Sequence, residues 1–129
     1  MTRPRAPRVL LVDDVEDNRG VIRQLTRRMG IELIEAADGL EGLRLARSEV
    51  PDLILMDLSL PGIDGWSATA QLKADPATAG IPVVAVTAHA MAGDEERARA
   101  VGMDGYVTKP IDLFSFRDLL EQMVRGGPA

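Results

Sequence analysis

The sequence predicts a doubly wound α/β domain, in which helices cover both faces of a five-stranded parallel sheet. Short apolar runs alternate with longer amphipathic stretches, and this alternation produces five successive β–α units. The runs are apolar throughout, which is typical of strands buried on both faces of a parallel sheet. Repeated β–α units favour parallel strands joined by crossover helices.

The first half of the chain supplies two of these units. Val9–Val12 is an aliphatic run that ends abruptly in aspartate. In Glu16–Met29 the apolar residues recur at helical spacing, and Gly30 ends the predicted helix. Ile31–Ala36 is the second strand, and a turn at Asp38-Gly39 follows it. The second helix ends before a proline, and its apolar positions are Leu40, Leu43 and Ala46.

The second half of the chain repeats the pattern three times. Leu53–Met56 is a third apolar run, and a loop with Pro-Gly and Asp-Gly pairs separates it from the third helix. Val83–Val86 is the fourth strand, followed by a polar, alanine-rich helix over Gly93–Ala100. Gly105–Thr108 is the fifth strand. The apolar stripe of the final helix consists of Leu113, Phe116, Leu120 and Met123.

Composition limits the function classes. A chain of 129 residues, 46% hydrophobic and 27% charged, fits one globular domain. The absence of cysteine excludes disulfides, thiolate metal sites and a cysteine nucleophile, and is compatible with a reducing cytoplasm. The apolar runs are too short to span a bilayer, and the N-terminus lacks a signal sequence. We therefore expect a soluble cytoplasmic domain.

Charge is unevenly distributed along the chain. Residues 1–8 contain three of the 15 basic residues and no acid, although the net charge is −5. The acidic remainder argues against nucleic-acid binding, which needs many cationic contacts to phosphate. We expect a flexible basic arm over residues 1–7, a domain over 8–125 and a flexible tail over 126–129.

Unusual polar residues follow the predicted strands. In open parallel sheets ligands bind outside the carboxyl ends of the strands. Asp13 and Asp14 follow the first strand, Asp57 the third, Thr87 the fourth and Lys109 the fifth. Such close carboxylates repel one another without a cation, and an all-oxygen ligand set favours Mg²⁺, with Mn²⁺ as an alternative. A carboxylate opposite a lysine is equipped to attack a phosphoryl group.

At these residues the chain resembles the receiver domain of two-component response regulators, of the chemotaxis-regulator type. The resemblance spans roughly residues 8–125 and implies a flavodoxin-like sheet with strand order 2-1-3-4-5. Because the chain ends soon after the fifth helix, a stand-alone receiver is expected. The matching segments are residues 9–14 (VLLVDD), 52–58 (DLILMDL), 60–65 (LPGIDG), 81–88 (IPVVAVTA) and 105–111 (GYVTKPI).

The resemblance implies a role for each site residue. Asp57 would be the phosphoacceptor, and Lys109, with a cis bond to Pro110, would pair with the phosphoryl group. Asp14 would ligate Mg²⁺ directly and Asp13 through water. The remaining implied residues are the backbone carbonyl of Ser59 as a further metal ligand, Thr87 and Tyr106 as the switch pair, and Ser59 and His89 as candidates that tune the phosphate lifetime. An exposed imidazole without a role is an equal alternative for His89.

The resemblance also implies partners. The phosphoryl group would come from a histidine kinase or a histidine phosphotransfer protein. A downstream protein target would bind the face formed by the fourth helix, fifth strand and fifth helix, with no nucleic acid or membrane involved. The domain would be a monomer or a weak, phosphorylation-dependent dimer.

Alternative functions remain open at this point. The chain could be a receiver excised from a larger hybrid kinase or effector protein. A Mg²⁺-dependent aspartyl phosphatase is less favoured, because such enzymes need a second acid two residues after the nucleophile, where this chain has Ser59. A nucleotide- or flavin-binding domain lacks its glycine-rich loop after the first strand. We therefore expect a phosphoacceptor with slow autodephosphorylation and not a turnover enzyme.

Overall fold

Residues 6–88 and 90–125 are described by a computed structural model, and they confirm the predicted fold class and strand order. All neighbouring strands pair in parallel, in the order β2-β1-β3-β4-β5. His89, most of the predicted arm and the whole predicted tail lie outside the described residues. The strands are β1 (Arg8–Val12), β2 (Glu32–Ala36), β3 (Leu53–Asp57), β4 (Val83–Thr87) and β5 (Gly105–Thr108).

Local sequence signals place the helix ends. The side chain of Asp38 accepts a hydrogen bond from the Glu41 amide, and Asp64 accepts one from the Ser67 amide, so both aspartates cap helices. Gly30 follows the first helix with φ of +72°, a conformation that favours glycine. The helices are α1 (Glu16–Arg28), α2 (Gly39–Glu49), α3 (Gly65–Ala74), α4 (Asp94–Ala100) and α5 (Leu113–Arg125).

The hydrophobic core lies on both faces of the sheet. Alternate residues of the central strands point to opposite sides, as the pleat requires. Leu10 and Ile54 belong to the cluster that includes side chains of α2, α3 and α4, whereas Leu11 and Leu55 belong to the cluster with α1 and α5. The strand residues next to the carboxyl edge belong to these clusters, Val12 and Met56 to the first and Val86 to the second, so the strand ends are packed on both faces of the sheet.

The packing of α2 differs from its predicted apolar stripe. Leu40 is 66% exposed, and Gly42 faces β1 in its place. A Cβ atom at Gly42 would lie 2.8 Å from a methyl carbon of Val12, so the helix approaches the strand more closely than a larger residue allows. The predicted stripe of α5 also begins with an exposed residue, Leu113.

Within the described part of the chain, no helix has both the length and the apolar character required to cross a membrane.

Candidate metal and phosphoryl site

The three predicted acidic residues meet at the carboxyl edge of the sheet. Strands β1 and β3 are neighbours, and their register pairs Val12 with Met56, so the aspartates that follow these residues lie side by side. One carboxylate oxygen from each of Asp13, Asp14 and Asp57 lies within 4.8 Å of the others. This all-oxygen set fits a hard divalent cation such as Mg²⁺.

Adjacent aspartates at the end of β1 have different environments. Asp13 is buried; its Oδ1 accepts a hydrogen bond from the Val15 amide at 2.9 Å, and its Oδ2 accepts one from Lys109 Nζ at 2.9 Å. Asp14 is exposed, and among the described residues its carboxylate has no hydrogen bond or ion pair. Both carboxylate oxygens of Asp13 therefore accept hydrogen bonds from the protein, whereas the Asp14 carboxylate is exposed to solvent.

Asp57 is a buried carboxylate in contact with a lysine. Its Oδ1 accepts a hydrogen bond from the Ser59 amide at 2.9 Å, and its Oδ2 lies 3.5 Å from Lys109 Nζ. Burial is the main cause that raises the pKa of Asp57 above its usual value, and the Asp13 charge adds to this effect. The Ser59 amide and the Lys109 ammonium act in the opposite direction.

Lys109 is positioned by the end of β5. Its amide donates to the Thr87 carbonyl at 2.8 Å, and its bond to Pro110 is cis, as the resemblance implied. Its ammonium bridges Asp13 and Asp57, which offsets part of the repulsion between these two carboxylates. Thr87 is buried at the end of β4, at the same edge of the sheet.

Tyr106 lies on β5, where it pairs with Ala85 of β4. The ring packs against the core beneath α2, α3 and α4, and among the described residues its hydroxyl is buried without a hydrogen-bond partner. Burial, followed by the charges of Asp94 and Glu95, raises the pKa of the Tyr106 hydroxyl. The structure thus brings Thr87 and Lys109 to the same edge of the sheet as the acidic cluster, whereas Tyr106 lies on β5, two strands away from β3.

Sequence reasoning missed two residues that support the site. Arg19 donates from Nη1 to the backbone carbonyl of Asp13 at 2.6 Å. A basic residue near the start of a helix is unfavourable to the helix dipole, and this signal could have indicated a specific partner. Gly65, predicted as part of an Asp-Gly pair in the loop before the third helix, faces the backbone of Asp57: a Cβ there would lie 2.3 Å from the Asp57 carbonyl oxygen.

A cation–π contact joins the two helices beside this edge. The guanidinium of Arg97, on α4, lies 4.2 Å from the ring centroid of Trp66, on α3. Trp66 is half-buried against the core of the same face. The contact links α4 to the helix that directly follows the loop after Asp57.

Comparisons with known proteins agree with this geometry. A family model described as "Response regulator receiver domain" matches residues 9–122. The polar-differentiation response regulators DivK of Brucella anthropi and Brucella ovis are each 46% identical over 113 residues, which cover 88% of this chain and 92% of the relative.

Solved structures of other proteins share the fold of this chain. The receiver domain of sensor histidine kinase PA1611 from Pseudomonas aeruginosa has a magnesium ion coordinated in its active-site cleft. It superposes with a TM-score of 0.84 at 34% identity, over 92% of this chain and 98% of that one. The chemotaxis protein CheY4 of Vibrio cholerae shares the fold, with a TM-score of 0.86 at 24% identity, over 93% and 100% of the two chains.

Proposed function

The chain belongs to the family of response regulator receiver domains, and from this premise we propose that Asp57 is its phosphoacceptor. As a receiver domain it takes up a phosphoryl group in two-component signalling, which involves a histidine kinase and a downstream target. The observation that carries the assignment is the buried Asp57 carboxylate, held between the Ser59 amide and Lys109 at the metal-binding edge.

The phosphoryl donor is a phosphohistidine of a histidine kinase or histidine phosphotransfer protein. An oxygen of the ionised Asp57 carboxylate attacks phosphorus and forms a P–O bond. The P–N bond breaks, and the electron pair stays with the imidazole, which takes up a proton from solvent. Lys109 Nζ, already 3.5 Å from Asp57, lies where it can pair with the added negative charge.

The acidic cluster supplies the ligands for Mg²⁺. Asp14 and Asp57, with the backbone carbonyl of Ser59, would hold the ion, and Asp13 would act through water because Lys109 and the Val15 amide occupy its oxygens. The exposed carboxylate of Asp14 supports this division of roles. When bound, the ion offsets the negative charge of the carboxylates and of the phosphoryl oxygens. Mn²⁺ has the same preference for oxygen ligands.

Thr87 and Tyr106 are proposed as the switch that transmits phosphorylation. The Thr87 hydroxyl would turn toward the phosphoryl group, and the Tyr106 ring would turn inward. In this structure the ring already packs against the core, and its buried hydroxyl has no hydrogen-bond partner among the described residues. Leaving a buried donor unpaired costs about 1–3 kcal/mol, which favours a second, outward placement from which the ring would turn inward on phosphorylation. Ser59 and His89 remain candidates for tuning the lifetime of the phosphate.

The output surface is proposed to be the face formed by α4, β5 and α5. Phe114 is 86% exposed and Met91 75% exposed at its margins, so apolar surface is available for a target protein. We further propose that the domain is cytoplasmic, that it is monomeric or forms a weak dimer on phosphorylation, and that it hydrolyses its own phosphate slowly.

A small phosphodonor tests the function directly. Incubation with acetyl phosphate and Mg²⁺ should place one phosphate on each chain, stable to acid and labile to base, as measured by intact-protein mass spectrometry. Chelation of Mg²⁺ with EDTA is the control and should prevent labelling. Continuous release of phosphate from unrelated phosphate esters would instead support an aspartyl phosphatase.

A groove beside Lys109 marks where the protein donor would dock. It lies between α1 and the β5–α5 loop, has a volume of about 290 Å³ and is lined in part by Val21, Lys109 and Leu113. Val21 and Leu113 are half-exposed apolar residues. Because a phosphohistidine must reach Asp57, the protein that carries it has to cover neighbouring surface, and this groove offers apolar contacts there.

Leu113→Asp should therefore separate the two kinds of donor. We expect about a tenfold slower transfer from a histidine phosphotransfer protein that phosphorylates the wild-type chain, and an unchanged rate with acetyl phosphate. Val50→Asp is the matched control. Val50 is an exposed apolar residue between α2 and β3, near the amino ends of the strands, and its substitution should change neither rate. Equal losses with both donors would contradict docking at the groove.

A further inference from the structure

Arg19 is a largely buried arginine that contacts the backbone of the metal-binding loop. Its side chain is 15% exposed, and each of its three nitrogens has an acceptor. Nη1 donates to the Asp13 carbonyl at 2.6 Å, Nη2 to Glu16 at 2.6 Å and Nε to Glu35 at 3.2 Å. The two carboxylates, one on α1 and one on β2, thus orient the guanidinium toward the end of β1.

The carbonyl that Arg19 contacts belongs to the peptide unit between Asp13 and Asp14. This unit is planar, so its orientation fixes the two Cα atoms relative to each other and helps to set the directions of the Asp13 and Asp14 side chains. The Asp13 amide donates to the Ala36 carbonyl at 3.0 Å, and the Asp13 carboxylate accepts from the Val15 amide. Arg19 supplies the hydrogen bond on the carbonyl side, next to Asp14, whose carboxylate has no hydrogen bond or ion pair in the described part of the chain.

We propose that Arg19 is a positioning residue for divalent-cation binding: it fixes the Asp13–Asp14 peptide so that the Asp14 carboxylate faces the cation. The inference rests on the proposed function, in which Asp14 is a direct ligand. Positioning and charge predict effects of opposite sign. Loss of the arginine charge alone would strengthen cation binding, whereas loss of the fixed peptide weakens it.

Arg23 provides a matched control within the same ion-pair network. It donates to Glu35 at 2.7 Å from both Nε and Nη2, and to Glu16 at 2.9 Å. Among the described residues its side chain does not bond to Asp13, so it shares the carboxylates of Arg19 without the contact to the loop. A purely stabilising network would make the two arginines equivalent.

The experiment compares Arg19→Met, Arg19→Lys and Arg23→Met with the wild-type chain. Mg²⁺ dissociation constants are measured by isothermal titration calorimetry, and unfolding in urea is followed in EDTA. We expect Arg19→Met to bind Mg²⁺ about tenfold more weakly and Arg23→Met to stay within about twofold of wild type. Arg19→Lys keeps the charge but not the planar fork, and should also weaken binding.

Phosphorylation by acetyl phosphate gives a second readout. At saturating Mg²⁺ the Arg19→Met rate should recover to near the wild-type rate, because the nucleophile and Lys109 are unchanged. Unchanged or tighter Mg²⁺ binding by Arg19→Met, or an equal loss in Arg23→Met, would overturn the inference. Should Arg19→Met fail to fold, Arg19→Lys alone decides, since binding as tight as wild type would overturn it. A wild-type chain that does not bind Mg²⁺ would overturn the proposed function instead.

Discussion

Asp57→Asn is expected to abolish phosphorylation of the chain while making the folded domain more stable. The amide that replaces the carboxylate is not a nucleophile, so acetyl phosphate and Mg²⁺ should add no phosphate by mass spectrometry. The asparagine side chain would retain an oxygen for the Ser59 amide, which in the wild-type chain donates to Asp57 Oδ1 at 2.9 Å. The variant therefore removes the charge of the site with little change in its shape.

The gain in stability follows from the raised pKa of Asp57, for which burial is the first cause and the Asp13 charge another. The protonated form of Asp57 is favoured by folding; its contribution is fully present below the unfolded pKa and is lost as pH rises through the folded one. At neutral pH the wild-type chain carries an unfavourable buried charge. Asp57→Asn removes this charge and should raise the free energy of unfolding in EDTA by about 1 kcal/mol, which is typical of a stabilising substitution.

The stability difference should depend on pH. As pH falls through the pKa of Asp57, the wild-type chain gains stability and the gap between the two proteins narrows. Urea unfolding at several pH values measures this. Asp118→Asn, on an exposed face of α5, is the control and should change neither phosphorylation nor stability. A phosphorylated Asp57→Asn, or a variant less stable than wild type, would contradict the assignment.

Gly65→Ala is expected to have the largest effect on stability. A Cβ at this position would lie 2.3 Å from the Asp57 carbonyl oxygen and 2.8 Å from the Leu58 Cα atom. Both are backbone atoms, so no side chain can rotate away, and α3 must separate from the end of β3. We expect a loss of about 3 kcal/mol or more in the free energy of unfolding, measured in urea.

The same displacement should reach the nucleophile, because Asp57 ends the strand that is pushed. Phosphorylation of the folded fraction should fall about 10- to 100-fold, as a misplacement near 1 Å produces. Gly80→Ala is the matched control, since nothing lies within 4 Å of a Cβ there and its backbone is not left-handed. Equal stability of Gly65→Ala and Gly80→Ala would show that the strand end can move freely.

The fold was predictable because its signals are local. Apolar runs such as Val9–Val12 and helix stops such as Gly30 depend on neighbours in sequence, and the strand-end polar residues then follow from topology. The difference between Asp13 and Asp14 was available only from the resemblance, because two adjacent identical residues carry no local signal of which one the lysine, 96 residues away, will contact.

The supporting residues depend on distances that sequence patterns do not contain. Arg19 contacts Glu35 on another element, 16 residues away, and that contact depends on how α1 lies across β2. Likewise, α2 approaches β1 through Gly42, and Leu40 is exposed although its spacing predicted it as part of the apolar stripe. Both the Arg19–Glu35 contact and the exposure of Leu40 depend on how a helix lies against the sheet.

The contact between Trp66 and Arg97 gives this domain an intrinsic optical probe. The indole is the only one in the chain, and the guanidinium over its ring belongs to α4, a helix of the proposed output face. Indole emission responds to a nearby cation, so a change in the separation of α3 and α4 alters its intensity or wavelength. Conformational change in this region is therefore readable in real time without an attached dye.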